Sequence, residues 1–306
     1  MFTKQSIIIT GGSGLLAINW AIAQRTKYSV TLGMNKRNVT LKGVKSVKFP
    51  MTSINSIVDY LNSNKPTLFI HAAGLTNVEK CESEPDLANF VNVELSRNVA
   101  DACAITGTKL VLISTDHLFS GKNSLASESD ELEPLNVYGA TKAEAESYAS
   151  EKCPNALIVR TNFFGWGLKY RKSFSDMIIN ALRNNKKITL FEDVFYTPIL
   201  IETLANTIHQ LAESGAQGVY NVVGDERISK LEFGYKLARC FSLDPDLISP
   251  LSISEKNDLV RRPHDMSLSN SKTCKYLGKK IGDIESQLNI LYKQEQLGLV
   301  KELEKL

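Results

Sequence analysis

A β-branched run, Ser6–Thr10, stops at Gly11-Gly12-Ser13-Gly14, and a helical pattern starts at once, with Leu15, Leu16, Ile18, Ala21 and Ile22 on one side. Glycines let a backbone turn tightly and come close to phosphate oxygens. The helix start adds free N–H groups and the positive end of the peptide dipole. Both Gly-x-x-Gly-x-x-Ala and Gly-x-Gly-x-x-Ala registers fit, with Ala17 where a third glycine is common. Gly11, Ser13, Gly14, Leu15 and Leu16 are therefore expected to hold a dinucleotide pyrophosphate. The plainer use of the same residues is an ordinary turn between a strand and a helix.

The strand–helix rhythm continues. Val30-Thr31-Leu32, Val44–Phe49, Thr67–His71, Leu110–Ile113 and Leu157–Val159 read as strands. Ile54–Leu61 and Tyr138–Glu151 read as helices, as does Asp86–Thr106, where apolar residues recur at 87, 90, 91, 95, 99 and 102. Short apolar strands alternating with helices predict an α/β fold whose parallel sheet is covered on both faces. After about residue 165 the rhythm changes. Ser173–Asn184, Ile199–Glu213 and Ile228–Phe241 read as helices, Gly218–Val223 as a further strand, and the tail from about 254 as polar with mixed helices. No linker separates the two regions, so the second is expected to be woven into the first by more than one crossing.

Composition narrows the class. The 306 residues are 43% hydrophobic and 23% charged, with a net charge of +3. That balance buries a full core and is too weakly basic for a general nucleic-acid binder. No stretch approaches the length of a membrane span. The start, from Met1 to Gly12, lacks the layout of a signal peptide. Cysteines 81, 103, 153, 240 and 274 are scattered and form no Cys-x-x-Cys, which disfavours a disulfide framework or zinc site and suits a reducing cytoplasm. Histidines 71, 117, 209 and 264 form no ligand cluster, and Gly-x-Ser-x-Gly is absent, so neither a metal nor a hydrolase elbow is expected. Trp20 and Trp166 read as packing residues, with a place in the cleft wall as the alternative for Trp166.

An absence selects the cofactor. NAD-binding folds commonly carry Asp or Glu after strand two to hold the ribose 2′-hydroxyl. Here no acid occurs before Asp59, and Gly33-Met34-Asn35-Lys36-Arg37 follows strand two. Asn35, Lys36 and Arg37 suit a 2′-phosphate, which favours NADP(H) over NAD(H). A solvated basic loop is the other use of these charges.

Strand five ends in Ser114-Thr115-Asp116, at the carboxyl edge where open α/β sheets bind ligands. Beyond it comes Tyr138-Gly139-Ala140-Thr141-Lys142. Residues i and i+4 share a helix face, so Tyr138 and Lys142 can act together. The nearby ammonium, together with the positive nicotinamide of the oxidised cofactor, is expected to lower the phenol's pKa and make it a usable acid toward a carbonyl accepting hydride. Thr115 could bond the same oxygen. Tyr148/Lys152 and Tyr276/Lys280 repeat the spacing, but only the first pair starts the helix that follows the Ser-Thr strand end.

The glycine turn, His71-Ala72-Ala73-Gly74-Leu75-Thr76, Ser114-Thr115-Asp116-His117-Leu118-Phe119-Ser120-Gly121, Pro134-Leu135-Asn136-Val137-Tyr138-Gly139-x-x-Lys142 and Arg160-Thr161 resemble extended short-chain dehydrogenases/reductases. Within them the chain is most similar to the dTDP-4-dehydrorhamnose reductases, and the likeness runs on through Asp193…Thr197-Pro198, Gly218–Gly224 and Arg262-Pro263…Ser267-Leu268. The resemblance implies a Rossmann-type doubly wound domain over 1–165 plus 198–224, and a smaller mixed α/β C-terminal substrate domain over 166–197 plus 225–306. It implies a nucleotide-sugar bound between them, with no nucleic-acid or membrane partner, and leaves a homodimer open. It gives catalytic roles to Thr115, Tyr138 and Lys142, with Lys142 also on the nicotinamide ribose. Ala72, Ala73 and Gly74 would lie beside the cofactor, and Thr76, Val78, Thr115, Asp116 and Phe163 near the substrate. Asn92 falls where the family keeps an asparagine near the site.

Two positions depart from the pattern: His117 stands where tyrosine is usual, and Phe163 where an indole is common. Related 4,6-dehydratases carry a glutamate at the place of His117, so elimination is disfavoured. Epimerases commonly hold NAD tightly, whereas a 2′-phosphate site suits a net reductant. The leading expectation is NADPH-dependent reduction of a nucleotide-linked 4-keto-6-deoxy sugar, with Tyr138 as proton donor. A nucleotide-sugar epimerase is one alternative. Another is a non-catalytic regulatory subunit, because the β subunit of methionine adenosyltransferase is similar too and fold alone does not fix function.

Overall fold

Seven parallel strands form the central sheet of the computed structural model, which describes residues 4–256 and 259–306. They are β1 (Ser6–Thr10), β2 (Ser29–Met34), β3 (Lys45–Lys48), β4 (Leu68–His71), β5 (Leu110–Ile113), β6 (Leu157–Arg160) and β7 (Gly218–Asn221). Their order across the sheet is β7-β6-β5-β4-β1-β2-β3. Every adjacent pair is parallel. The inner strands are runs such as Ile7-Ile8-Ile9 and Leu110-Val111-Leu112, buried on both faces, as a parallel sheet under two helical layers requires. The edge strand β3 is short and carries exposed Lys45 and Lys48, a composition that discourages further pairing. The strand order reverses between β1 and β4, which opens a crevice above their carboxyl ends.

Helices cover both faces. α1 (Leu15–Gln24) lies on one face; on the other, α2 (Ile54–Asn64), α3 (Leu95–Thr106) and α4 (Val137–Lys152) pack over Phe69, Leu112 and Ile158. The helix expected over Asp86–Thr106 is present, but it widens to a π-type turn at Phe90–Glu94 before α3 begins. Such a turn carries one extra residue and re-aims side chains, often at functional sites. The reading of the first residues, Met1–Thr3, and of 257–258 in the tail lies outside the described residues.

The second region adds α5 (Phe174–Arg183), α6 (Ile201–Glu213), α7 (Lys230–Cys240), α8 (Ser271–Leu277) and α9 (Ile284–Gln296). It also holds three two-stranded ladders: Phe163–Phe164 with Ile199–Leu200, Phe195–Tyr196 with Ile228–Ser229, and Ile188–Phe191 with Ile248–Leu251. Two expected helices thus start later than the periodicity alone indicates. Ser229 is the reason for one: its hydroxyl caps the Glu232 amide while Glu232 caps the Ser229 amide, so α7 begins at Lys230. The chain crosses back after α6 to place β7 beside β6. α1 and α6 share one apolar core with α9, and Trp20 and Trp166 are buried in it. Trp166 donates its indole N–H to the Leu291 carbonyl at 3.0 Å. No described helix is long and apolar enough to cross a membrane.

Candidate active site

The crevice above β1, β4 and β5 is a cleft of about 470 Å³. One wall is the glycine turn. Gly11 has φ +69°, and a Cβ there would meet the Ala72 carbonyl oxygen at 2.9 Å, so only glycine lets the turn lie against the 72–74 loop. α1 starts at Gly14 with no side-chain cap and no acid in its first turn. Its first amides and the positive dipole end therefore face the cleft without internal competition, the condition for holding an anion.

The opposite wall is held by a buried polar chain. The Ser96 hydroxyl donates to the Asn92 carbonyl at 2.6 Å, inside the π-type turn. It therefore accepts from His71 Nε2, at 3.1 Å. His71 Nδ1 then accepts from the Thr10 hydroxyl at 2.8 Å. The Thr10 oxygen in turn accepts from the amides of Ala72 and Ala73 at 3.2 and 3.3 Å. One imidazole tautomer satisfies every link. Burial, with Lys142 nearby, pushes the His71 pKa down to about 3, so the ring stays neutral. Asn92 completes the loop's support: its Oδ1 accepts from the Leu75 amide at 2.7 Å, and its Nδ2 donates to the Leu75 carbonyl and to the Thr141 hydroxyl at 3.1 and 3.0 Å. It clamps the loop to α4 and does not line the cleft.

Tyr138 stands at the start of α4. Asn136 caps that helix by accepting from the Gly139 amide at 2.9 Å. Gly139 lets the helix press onto the loop after β5, where any Cβ would run into the His117 carbonyl. The phenol is buried against Val78, Cys81 and Ala88, and its ring meets His117 edge-on at 5.4 Å. Thr115 accepts from the His117 amide at 3.3 Å and donates to Asp116 at 3.2 Å. Asp116 also accepts a short hydrogen bond from Asn162. Lys142 is buried and donates to the Ile113 carbonyl at 2.7 Å. Beyond it on α4, Glu146 pairs with buried Arg160 at 2.8 Å.

The electrostatics correct one expectation. The Tyr138 pKa is raised, not lowered: desolvation outweighs the Thr115 hydrogen bond and the pull of Arg171, which act downward. Lys142 pays a desolvation penalty too, and its pKa falls to about 8 although Glu146 pulls it upward. Its ammonium is directed to a backbone carbonyl of β5 and not to the phenol.

The cleft brings together Gly11, Gly14, Leu15, Leu16, Ala72, Ala73, Gly74, Thr76, Thr115, Asp116, Tyr138, Lys142 and Phe163. Five expected residues lie off its lining. Val78 packs behind Tyr138. Asn35, Lys36 and Arg37 are exposed at the carboxyl end of β2. Ser13 sits on the turn and accepts, through its carbonyl, from the Tyr170 hydroxyl at 2.9 Å. His117 does line the cleft, with Nδ1 unpartnered among the described residues, and burial lowers its pKa. Sequence reasoning missed Ser114, Thr161, Asn162, Arg171, Lys172, Ser173 and Phe174. The carboxyl-edge rule applied to β6 flags Thr161 and Asn162; nothing local flags 171–174. The hydroxyls of Ser114 and Thr161 are buried and unpartnered among the described residues, as donors awaiting a ligand would be. This set of uncapped amides, orphan hydroxyls and close-packed glycines fits a dinucleotide.

Comparison with known proteins agrees. A family model described as the RmlD substrate binding domain matches residues 5–297. The chain is 26% identical to dTDP-4-dehydrorhamnose reductase of Aggregatibacter actinomycetemcomitans over 298 residues, covering 92% of this chain and 96% of that one. It is also 26% identical to methionine adenosyltransferase 2 subunit beta of Pongo abelii over 278 residues, covering 88% and 81%. Among solved structures, dTDP-4-dehydrorhamnose reductase of Bacillus anthracis in complex with NADP superposes with a TM-score of 0.84 at 26% identity, covering 95% of this chain and 100% of that one.

Proposed function

The chain belongs to the RmlD substrate binding domain family, and from that premise we propose that it is an NADPH-dependent oxidoreductase that reduces the 4-keto group of a nucleotide-linked 6-deoxy sugar, as in dTDP-rhamnose and polysaccharide biosynthesis. One observation carries the reading: a buried phenol, Tyr138, shares a cleft with the Thr115 hydroxyl and with an uncapped, glycine-opened helix start.

Gly11, Gly14, Leu15 and Leu16 hold the pyrophosphate; Asn35, Lys36 and Arg37 hold the 2′-phosphate; Ala72, Ala73 and Gly74 flank the cofactor. When bound, NADPH supplies the hydride. Tyr138 gives its proton to the ketone oxygen, and Thr115 holds that oxygen by a hydrogen bond. The raised pKa keeps Tyr138 protonated, and the same burial opposes the phenolate that donation leaves behind. Lys142, fixed on the Ile113 carbonyl, would hold the nicotinamide ribose, and its charge would act on the phenolate one helical turn away through space rather than by a direct bond. Thr76, Asp116 and Phe163 contact the sugar nucleotide, with residues 166–197 and 225–306 as the substrate domain. The five free thiols suit a cytoplasmic protein; whether it forms a homodimer is read by sedimentation.

The test is NADPH oxidation with enzymatically made dTDP-4-keto-6-deoxy sugars, native chain against Tyr138→Phe. Turnover by the native chain that is lost in the variant supports the reductase. The likeness to the methionine adenosyltransferase subunit supports a second reading, a non-catalytic partner. No turnover with any keto-sugar, together with a stable complex with a synthetase, would favour it.

A further inference from the structure

We propose that Tyr170 is a cofactor-selectivity residue: its ring holds the Arg37 guanidinium over the rim of the dinucleotide crevice, and this makes the chain choose a 2′-phosphate over a 2′-hydroxyl. The inference rests on the reading of the cleft as a dinucleotide site. It adds a residue from the second region, distant in sequence from the basic loop after β2.

Arg37 is exposed, and its guanidinium carbon lies 3.8 Å from the centroid of the Tyr170 ring. That is a stacked cation–π contact. Among the described residues no carboxylate pairs with Arg37. A guanidinium stacked on a ring keeps its N–H edge free, and that edge matches a phosphate with two parallel hydrogen bonds. A freely rotating arginine would give up its rotamer freedom on binding; one already laid on a ring has surrendered it in advance.

Tyr170 can serve as a platform because it is held from elsewhere. Its hydroxyl donates to the Ser13 carbonyl at 2.9 Å, which sets the ring against the glycine turn. The turn that carries it is closed by reciprocal backbone bonds between Leu168 and Arg171, at 2.8 and 3.1 Å. Arg171 donates to the Thr76 hydroxyl at 2.9 Å on the far wall. The turn therefore spans the crevice mouth, with one anchor beside the pyrophosphate turn and one beside the sugar. The ring packs on its inner side against the main apolar core, while the Arg37 guanidinium on its outer side is exposed.

The experiment is equilibrium titration of NADPH and of NADH, without sugar, by calorimetry. The native chain should bind NADPH more tightly by about tenfold or more. In Tyr170→Ala the Kd for NADPH should rise about fivefold to tenfold, and that for NADH by less than about twofold. Tyr170→Phe keeps the ring but loses its anchor on Ser13, and should show a preference between those of the native chain and Tyr170→Ala. Arg37→Met tests the stack from its other side without touching the turn. It should lose the preference alike, and adding Tyr170→Ala to it should change nothing further. Equal weakening of both cofactors by Tyr170→Ala overturns the proposal, because the ring would then serve the adenosine common to both. So does an unchanged preference, or additive losses in the double variant. A native chain that does not discriminate overturns the 2′-phosphate reading itself.

Discussion

α4 carries the same motif twice. Tyr138 and Lys142 open the helix; Tyr148 and Lys152 close it with the same spacing. At the first end the phenol is buried in the cleft and the ammonium is spent on a strand carbonyl deep in the sheet. At the second end the Tyr148 hydroxyl donates to Asp101 at 3.0 Å, and exposed Lys152 pairs with Glu151 at 2.7 Å. Water screens that second pair, so its charges bear on nothing beyond their neighbours. The comparison shows that a four-residue spacing supplies only a shared face. Chemistry comes from what the face is pressed against, and Gly139 is what lets the first end press onto the loop after β5.

The comparison breaks most directly at Tyr138. Tyr138→Phe should lower kcat by roughly 10²–10⁴ with the fold intact by circular dichroism, the range a positioned general acid contributes. An unchanged kcat would place the proton donor elsewhere. Between the two ends lies the Arg160–Glu146 pair. Glu146→Ala strands a buried guanidinium and should cost about 3–5 kcal/mol in denaturant unfolding. A loss below 1 kcal/mol, roughly the worth of an exposed pair, would mean that water reaches Arg160.

pH separates the ends more gently. The Lys142 pKa, near 8, lies below the 10.5 of a free lysine. Activity should fall as pH rises through about 8, by roughly tenfold per unit beyond it, if the ammonium is the working form. Stability should move the other way. Between about 8 and 10.5 the unfolded chain binds the proton that the folded chain has lost, so raising pH relieves the cost of burial. Rate and melting profiles measured together check both signs, and the alkaline limb should vanish in the residual activity of Lys142→Met. His71, with a pKa near 3, should contribute no limb at neutral pH. The smallest effect belongs to the far end: Tyr148→Phe should leave kcat/KM within about twofold.

Much of this was legible in the chain. The strands of the first half are apolar runs that only a doubly covered sheet can bury, and the glycine turn, Thr115 and Tyr138 sit at strand and helix ends where periodicity marks them. What stayed hidden depends on distance along the chain or on competition. The π-type turn at Phe90–Glu94 leaves no sign in an otherwise helical pattern. Tyr170 meets Ser13, and Arg171 meets Thr76, across wide gaps in sequence that no local pattern can announce. The upward shift of Tyr138 in the protein alone does not show in the sequence, because spacing reveals a nearby ammonium but not the depth of burial.

The return of the chain to lay β7 beside β6 bears on any attempt to divide the protein. A fragment truncated after residue 165 would lose that neighbour and leave the Leu157–Arg160 backbone as a raw, apolar border. Such a border recruits strands from other molecules. Cutting there would yield a six-stranded sheet with a sticky edge rather than an autonomous module, so the two regions must be made as one polypeptide.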